Sequence, residues 1–203
     1  MKILISDAFD PSLPDRLKKF GEVTDDKEQA GEADVVLIRS KTKVTREYID
    51  NAPNLKLVIR GGVGLDNVDL EYAKKKGITV HNTPSASAVA VAELAFAHML
   101  AVPNHLIEGH NTMKAGEWAK KRLKRTELMG KTLGLIGIGR IATEVAVRAK
   151  AFGMNVIAYD KYVEKSDAAE MKSYDDVLAQ ADYLSLHTPL TEETSCMINK
   201  NTI

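Results

Sequence analysis

Short apolar runs alternate with stretches of helical periodicity along residues 2–81 of the chain. The apolar runs predict strands at residues 2–6, 35–38, 57–59 and 78–81. The stretches between them predict helices at residues 13–20, 45–51 and 70–76. Such alternation is typical of an α/β fold, in which helices connect the strands of a parallel sheet.

Capping residues flank these predicted helices. Thr45 and Asp69 stand where the side chain of an N-cap residue would accept a backbone N–H. Gly21 and Gly77 follow helices, at the position where a left-handed C-cap favours glycine. The caps therefore support the predicted boundaries.

A polar break at residues 82–85 is followed by an almost wholly apolar segment at residues 86–102. We interpret the break as the boundary between a domain at residues 1–85 and a domain at residues 86–203. A helix that is apolar on nearly every face is expected to be buried all round. The pattern leaves open whether it is an ordinary core helix, or lies between domains or in the interface of a homodimer or tetramer.

A glycine-rich turn follows the strand predicted at residues 133–137, with the pattern Gly137-x-Gly139-x-x-Ala142. Gly137 allows the tight turn from strand to helix, and Gly139 lets a pyrophosphate approach the backbone at the helix N-terminus. Ala142 keeps the following helix close to the strand. The turn predicts dinucleotide binding, and the simpler alternative is a tight strand-to-helix turn.

A second apolar strand, predicted at residues 156–159, is followed by Asp160. An acid at this position can bind the hydroxyls of the adenine ribose. Its charge would also repel a 2′-phosphate, so the sequence predicts NAD in preference to NADP. Lys161, the next residue, slightly weakens that preference.

A third strand of this unit is predicted at residues 183–186. The strands of a dinucleotide-binding domain have the order 3-2-1-4-5-6, and these three would be strands 1, 2 and 3. On this assignment, one flank of strand 1 is an exposed apolar edge. The domain would then be incomplete, with its C-terminal part missing.

Composition excludes several classes of protein. The 203 residues contain 28 Lys and Arg and 28 Asp and Glu, so a nucleic-acid binder with an overall basic field is not expected. One cysteine excludes an internal disulfide framework and favours a reducing compartment. The N-terminus has no secretory apolar core, and residues 86–102 are too short and polar to span a bilayer. We therefore expect a cytoplasmic protein without membrane partners.

Residues 114–125 form a local basic run, with six basic residues and one acid, Glu117. Such a run is usually a solvated face, although it would also attract a doubly anionic substrate. Only Trp118 is interleaved for base stacking, which argues against nucleic acid. His105 and His110 are five residues apart and do not share a helix face, so no metal site is expected.

Several segments together resemble the D-isomer specific 2-hydroxyacid dehydrogenases, and among these the phosphoglycerate dehydrogenases. The similarity runs from the N-terminus to Ile203. It is carried by the turn at 137–142 and by five further segments: Ile59-Arg60-Gly61-Gly62-Val63-Gly64, Asn82-Thr83-Pro84, Gly116-Glu117-Trp118, Gly130-Lys131-Thr132-Leu133-Gly134 and Leu186-His187-Thr188-Pro189-Leu190-Thr191.

The resemblance implies a flavodoxin-like substrate domain followed by a Rossmann-type NAD-binding domain. Its first domain would bind a small anionic 2-hydroxy or 2-keto acid, with the backbone N–H groups of Gly62, Val63 and Gly64 holding the carboxylate. Further substrate-binding residues implied by the family are Arg39, Ser40, Arg60 and Asn82. For Arg60, a purely structural ion pair with a carboxylate is as good an interpretation as substrate binding.

The cofactor-binding residues implied by the family lie mainly in the second domain. They are Val63, Gly137, Gly139, Arg140, Ile141, Asp160, Thr188 and Pro189.

No catalytic residue is expected in this chain, because the family's Arg, Glu and His would follow Ile203. His187 would instead help to form the cofactor wall. We therefore expect a fragment of an NAD-dependent oxidoreductase that is inactive alone; partial coverage and an interrupted gene are alternative reasons for the length.

The preferred reaction is oxidation of D-3-phosphoglycerate in serine biosynthesis. Alternatives are a glyoxylate/hydroxypyruvate reductase, a D-lactate-type dehydrogenase, or a catalytically dead NAD-binding or assembly module.

Overall fold

The computed structural model describes residues 1–202 and divides into two compact units. The first unit is Met1–Ser87, and the second begins at Ala88. Ile203, the last residue of the predicted second domain, lies outside the described residues.

The first unit is built on a five-stranded parallel sheet in the order β2-β1-β3-β4-β5. This is the flavodoxin-like order, so the predicted fold of this region is confirmed. Four strands were predicted, and β2 was missed because its three residues carry no apolar run. The strands are β1 (Lys2–Ile5), β2 (Glu22–Thr24), β3 (Val35–Ile38), β4 (Leu57–Arg60) and β5 (Thr79–Asn82).

Three short helices connect these strands: α1 (Leu13–Leu17), α2 (Arg46–Asp50) and α3 (Leu70–Lys75). The two predicted N-caps are confirmed, because Thr45 accepts the N–H of the third residue along at 3.3 Å and Asp69 does so at 2.9 Å. Short 3-10 turns occupy Lys18–Phe20 and Lys27–Glu32.

The two predicted C-cap glycines differ. Gly77 has φ 75° and is left-handed, as predicted. Gly21 has φ 162°, which is extended, so the prediction of a left-handed cap there is wrong. The chain turns directly into β2 at this point, and a Cβ on Gly21 would collide with the backbone carbonyl of Met1. Glycine is needed at position 21 for space.

The second unit contains a four-stranded parallel sheet in the order β8-β7-β6-β9. These strands are β6 (Thr132–Ile136), β7 (Asn155–Tyr159), β8 (Glu170–Met171) and β9 (Tyr183–Leu186). The order matches positions 3-2-1-4 of a dinucleotide-binding sheet, so the Rossmann-type prediction is confirmed.

The sheet position predicted for the third strand is wrong. Residues 183–186 form β9, which pairs with the opposite flank of β6 and takes position 4. Position 3 is taken by the two-residue β8, which is too short to show a strand pattern. Strand β6 is therefore paired on both sides, and the exposed edge expected beside it is not found.

The described residues of this unit form four helices: α4 (Ala88–Ala101), α5 (Leu106–Lys114), α6 (Arg140–Ala151) and α7 (Tyr174–Gln180). Ala92 and Phe96 of α4 pack in one apolar core with Val145 of α6. On the opposite side of α4, Leu94 is exposed, and Val89 in the first turn of the helix is exposed as well. Within this single chain only one face of the helix is buried, against α6. Burial of the remaining face in a subunit interface stays a prediction.

No single helix in residues 1–202 is long and apolar enough to cross a membrane. Helices α4 and α5 pass the same length and composition test only as a pair, and they are bent by 61° at the break between them.

Candidate functional site

The first candidate site consists of Arg60, the last residue of β4, and the loop that follows it, residues 61–64. Hydrogen bonds connect this loop to the residues at the end of β5. The N–H of Gly62 donates to Thr83 Oγ1 at 2.9 Å, and the N–H of Thr83 donates back to the carbonyl of Gly62 at 3.1 Å. Asn82 Nδ2 donates to the carbonyl of Val63 at 2.7 Å. Thr83, to which the sequence assigned no role, therefore holds the loop in place.

The predicted anion contacts of this loop are only partly available. The N–H of Gly62 is already occupied by Thr83. Within residues 1–202, the N–H groups of Val63 and Gly64 donate to no acceptor. Asp66 lies beside them, with Oδ1 2.7 Å from the position that a Cβ on Gly64 would take. The loop thus offers two free amides, next to a carboxylate.

Arg60 lies across this loop. Its guanidinium touches Gly62 so closely that a Cβ there would collide with Nη1. Gly62 has φ 151°, so both its backbone and its neighbour favour glycine. Arg60 Nε is buried without a hydrogen-bond partner in the described residues, and no ion pair joins Arg60 to a carboxylate among them. The structural ion pair weighed for Arg60 is therefore not formed in residues 1–202.

Arg39 and Ser40 are exposed in the loop that follows the neighbouring strand β3. A buried aspartate holds this loop. The side chain of Asp7, 2% exposed, accepts the N–H of Arg39 at 2.6 Å and the hydroxyl of Thr42 at 2.8 Å. Asn67 Nδ2 bridges the carbonyls of Arg39 and Thr42, both at 2.7 Å.

This network lowers the pKa of Asp7. Desolvation by burial raises the pKa, but the hydrogen bonds from Arg39 and Thr42, with Lys27 nearby, outweigh it and hold the carboxyl below its usual range. Sequence reasoning missed Asp7 and Asn67 because their partners are 25 to 35 residues away along the chain.

All seven predicted substrate-binding residues lie at one edge of the sheet, because β3, β4 and β5 are adjacent and parallel. Arg39 Cγ lies 3.5 Å from the position of a Cβ on Gly61, so the loops after β3 and β4 touch. Asn82 pairs in register with Arg60. Ser40 follows Arg39 on the same exposed loop.

The second candidate site is the turn between β6 and α6. Gly137 has φ 90°, and a Cβ on it would lie 2.8 Å from the carbonyl oxygen of His187. Gly139 has an ordinary φ of −73° and caps the N-terminus of α6, which Arg140 and Ile141 begin. A Cβ on Gly139 would meet nothing within 4 Å. Gly137 is therefore needed for the turn itself, whereas Gly139 leaves open space above the helix N-terminus.

Asp160 lies at the end of β7, beside this turn. Its Oδ2 accepts the N–H of Ile138 at 2.9 Å, and its Oδ1 accepts the N–H groups of Tyr162 at 2.8 Å and Val163 at 3.2 Å. A carboxylate has about four acceptor sites. One site on Oδ2 therefore remains for an external donor such as a hydroxyl.

A cleft of about 470 Å³ opens between the end of β7 and the segment after β9. Strands β7 and β9 flank β6 on opposite sides, and such a switch point is where open parallel sheets bind ligands. Four predicted cofactor residues line the cleft: Gly137, Asp160, Thr188 and Pro189. Apolar side chains of Ile136, Tyr174 and Met197 form much of its wall.

His187 follows β9 and contributes its backbone carbonyl to the packing at Gly137. Its ring nitrogen Nε2 lies 2.9 Å from the hydroxyl of Ser185, and burial lowers the pKa of the ring below its ordinary value. No carboxylate orients this pair in the described residues, and the geometry gives His187 a packing role.

The basic run at residues 114–125 is partly neutralised. Arg122 binds Glu108 and Glu117, each at 2.8 Å. The remaining lysines are exposed. Among residues 1–202, no group of three or more His, Cys, Asp or Glu side chains could hold a metal ion.

Comparison with known proteins shows the family of the chain. Residues 96–203 match the NAD binding domain of the D-isomer specific 2-hydroxyacid dehydrogenases. A hydroxypyruvate reductase of Thermotoga maritima is 51% identical over 173 residues, which are 85% of this chain and 56% of that protein. A D-3-phosphoglycerate dehydrogenase of Methanocaldococcus jannaschii is 44% identical over 216 residues, covering 100% of this chain and 41% of that protein.

Solved structures show the same relationship. The D-lactate dehydrogenase of Aquifex aeolicus, complexed with NAD and lactic acid, superposes with a TM-score of 0.88 at 31% identity. The match covers 100% of this chain and 65% of that one. The chain thus spans about half the length of the two curated relatives. It belongs to the D-isomer specific 2-hydroxyacid dehydrogenase family.

Proposed function

We propose that this sequence is part of an NAD-dependent oxidoreductase that oxidises a D-2-hydroxy acid. The observation that carries the proposal is the cleft beside Gly137, where Asp160 keeps one acceptor site free and an open space lies above Gly139. The family match and the NAD-bound neighbour support it.

In this proposal the second unit binds the cofactor and the first binds the substrate. Asp160 accepts a ribose hydroxyl, and the N–H groups at the start of α6, at Arg140 and Ile141, receive the pyrophosphate. Thr188 and Pro189 bound the cleft on its other side. When bound, NAD supplies the hydride acceptor.

The substrate carboxylate is bound by the free N–H groups of Val63 and Gly64, with the guanidinium of Arg60 beside them. The buried, unpartnered Nε of Arg60 supports this role, because an ion partner would satisfy it. Arg39 and Ser40 then lie on the neighbouring loop, where a second anionic group of the substrate would be bound. Val63 is assigned a further contact to the cofactor by family similarity.

D-3-phosphoglycerate is the substrate we propose first, in a cytoplasmic enzyme of serine biosynthesis. The phosphoglycerate dehydrogenase similarity along the whole chain and the basic residues of the first site favour it. The 51% identity to a hydroxypyruvate reductase makes that activity the second candidate.

The experiment measures NADH formation with two proteins. One is the 203-residue chain, and the other is a chimera that joins it to the part of the Methanocaldococcus relative beyond the aligned region. We expect turnover of D-3-phosphoglycerate by the chimera and none by the chain. Turnover of hydroxypyruvate or glyoxylate alone, measured with NADH, would support the second candidate. A folded chimera that binds NADH but turns over none of these substrates would favour a non-catalytic module.

We also propose that the exposed face of α4 and the start of α5 form a homodimer interface. Leu94 is 59% exposed and Ile107 is 75% exposed, and Val89, Val102 and Leu106 are further exposed apolar side chains on these two helices and the break between them. Exposed apolar patches of this kind mark interaction sites in proteins that otherwise bury such residues.

A further inference from the structure

An ion pair lies at the mouth of the cleft. Lys161 Nζ donates to both carboxylate oxygens of Glu193, at 2.7 Å to Oε1 and 2.6 Å to Oε2. Both residues line the cleft together with Asp160. The two are 32 residues apart in the chain, one following β7 and the other following β9.

The position of Glu193 is set by its own turn. Thr194 Oγ1 donates to the carbonyl of Pro189 at 2.6 Å, and the N–H of Thr191 donates to Thr194 Oγ1 at 2.8 Å. These hydrogen bonds stabilise the turn that carries Glu193, and the carboxylate of Glu193 contacts Lys161 from it. The hydrogen bond to Glu193 raises the pKa of Lys161 above its ordinary value.

Lys161 directly follows the residue proposed to bind the adenine ribose. A free ammonium at this position would attract a 2′-phosphate and would partly cancel the repulsion from Asp160. In the pair, that positive charge is balanced by Glu193. The local charge of Asp160, Lys161 and Glu193 together is then negative.

We propose that Glu193 is a specificity-determining residue that favours NAD over NADP by sequestering Lys161. The inference rests on the proposed function, since it concerns the cofactor of that same cleft. It identifies a residue that the spacing from the glycine turn to Asp160 does not reveal. Because Lys161 is paired with Glu193, it does not offset the repulsion between Asp160 and a 2′-phosphate.

The test compares the affinities of the 203-residue chain for NADPH and NADH, followed by the fluorescence of the reduced nicotinamide. For Glu193→Gln we expect NADPH to bind about fivefold more tightly, the size of one exposed charge pair, and NADH to change less than about twofold. The matched control is Glu192→Gln, which removes the same charge from an exposed neighbour that does not line the cleft. It should leave both affinities unchanged.

A comparison in the Lys161→Met background distinguishes the release of Lys161 from a direct repulsion between Glu193 and the phosphate. In Lys161→Met, the added change Glu193→Gln should strengthen NADPH binding less than about twofold, because no ammonium remains to be released. An equal gain in both backgrounds would overturn the sequestration of Lys161. An unchanged ratio of NADPH to NADH affinity in Glu193→Gln would overturn the specificity role altogether. Failure of the unaltered chain to bind either dinucleotide would instead overturn the proposed function on which the inference rests.

Discussion

The carboxylate of Asp160 accepts the backbone N–H of Ile138 at 2.9 Å. This hydrogen bond ties the end of β7 to the glycine turn between β6 and α6. Asp160 therefore shapes the turn even without a ligand, and the same carboxylate faces the cleft. Changes at this residue should affect both folding and cofactor choice.

We expect Asp160→Ala to weaken NADH binding by at least about tenfold, because a charge-assisted hydrogen bond to the ribose is lost. The affinity for NADPH should fall far less, since the 2′-phosphate no longer meets a carboxylate. The denaturation midpoint should also fall, because three backbone N–H groups lose their acceptor. Fluorescence titration and urea denaturation measure the two effects. Equal loss of affinity for both dinucleotides would contradict the ribose role.

The two glycines of the turn should respond differently to alanine. Gly137→Ala should lower the free energy of unfolding by about 2 kcal/mol, because φ 90° is strained for alanine and its Cβ would press on the carbonyl of His187. Gly139→Ala should leave stability nearly unchanged, since its φ is ordinary and its Cβ meets nothing.

The two glycine variants are also compared in their affinity for NADH. The methyl group of Gly139→Ala would occupy the space proposed for the pyrophosphate, so we expect NADH affinity to fall more than about tenfold in a stable protein. Urea denaturation and NADH titration are run on both variants. A stable Gly139→Ala protein with unaltered NADH affinity would show that the open space is not the phosphate site.

The buried Asp7 predicts a pH-dependent stability. Because its pKa is lowered in the folded protein, its contribution is present above the unfolded pKa of about 3.9 and is lost as the pH falls through the folded value. We expect Asp7→Asn to reduce the free energy of unfolding by about 2 kcal/mol at pH 7. The difference from the unaltered chain should narrow below about pH 4.

Urea denaturation at several pH values measures this difference. Asp25→Asn is the matched control, because that carboxylate is exposed and should contribute little at any pH. A difference for Asp7→Asn that stays constant down to pH 3 would mean that the effect comes from altered packing, and not from the ionised carboxylate.

Leu94→Lys tests the proposed dimer. A charge on the exposed face of α4 would be buried without a partner in the interface, so we expect the variant to be monomeric by light scattering. Phe20→Lys is the control, since Phe20 is 57% exposed in the first unit and lies outside the proposed interface. A monomeric unaltered chain, or a dimer that tolerates Leu94→Lys, would contradict the assignment.

The parts of the fold that follow local patterns could be predicted from the sequence. Thr45 and Asp69 are recognisable as caps because an N-cap acts within three residues. The turn at Gly137 and Gly139 is recognisable because strand, glycines, helix and acid occur in a fixed spacing.

Contacts between distant segments could not be predicted in this way. The pairing of Thr83 with Gly62, and of Glu193 with Lys161, depends on which loops the sheet brings together. Residues 183–186 were assigned to the wrong flank of β6 because an intervening strand of two residues leaves no periodicity to detect. The face of α4 that remains exposed is likewise set by its packing on α6.

The most direct test of the account is a fluorescence titration of the folded 203-residue chain with NADH, with NADPH titrated in parallel. We predict saturable binding of NADH at one site, with NADPH weaker by about tenfold or more because of Asp160 and Glu193. A folded chain that shows no saturable NADH binding, or that binds NADPH as tightly as NADH, would contradict it.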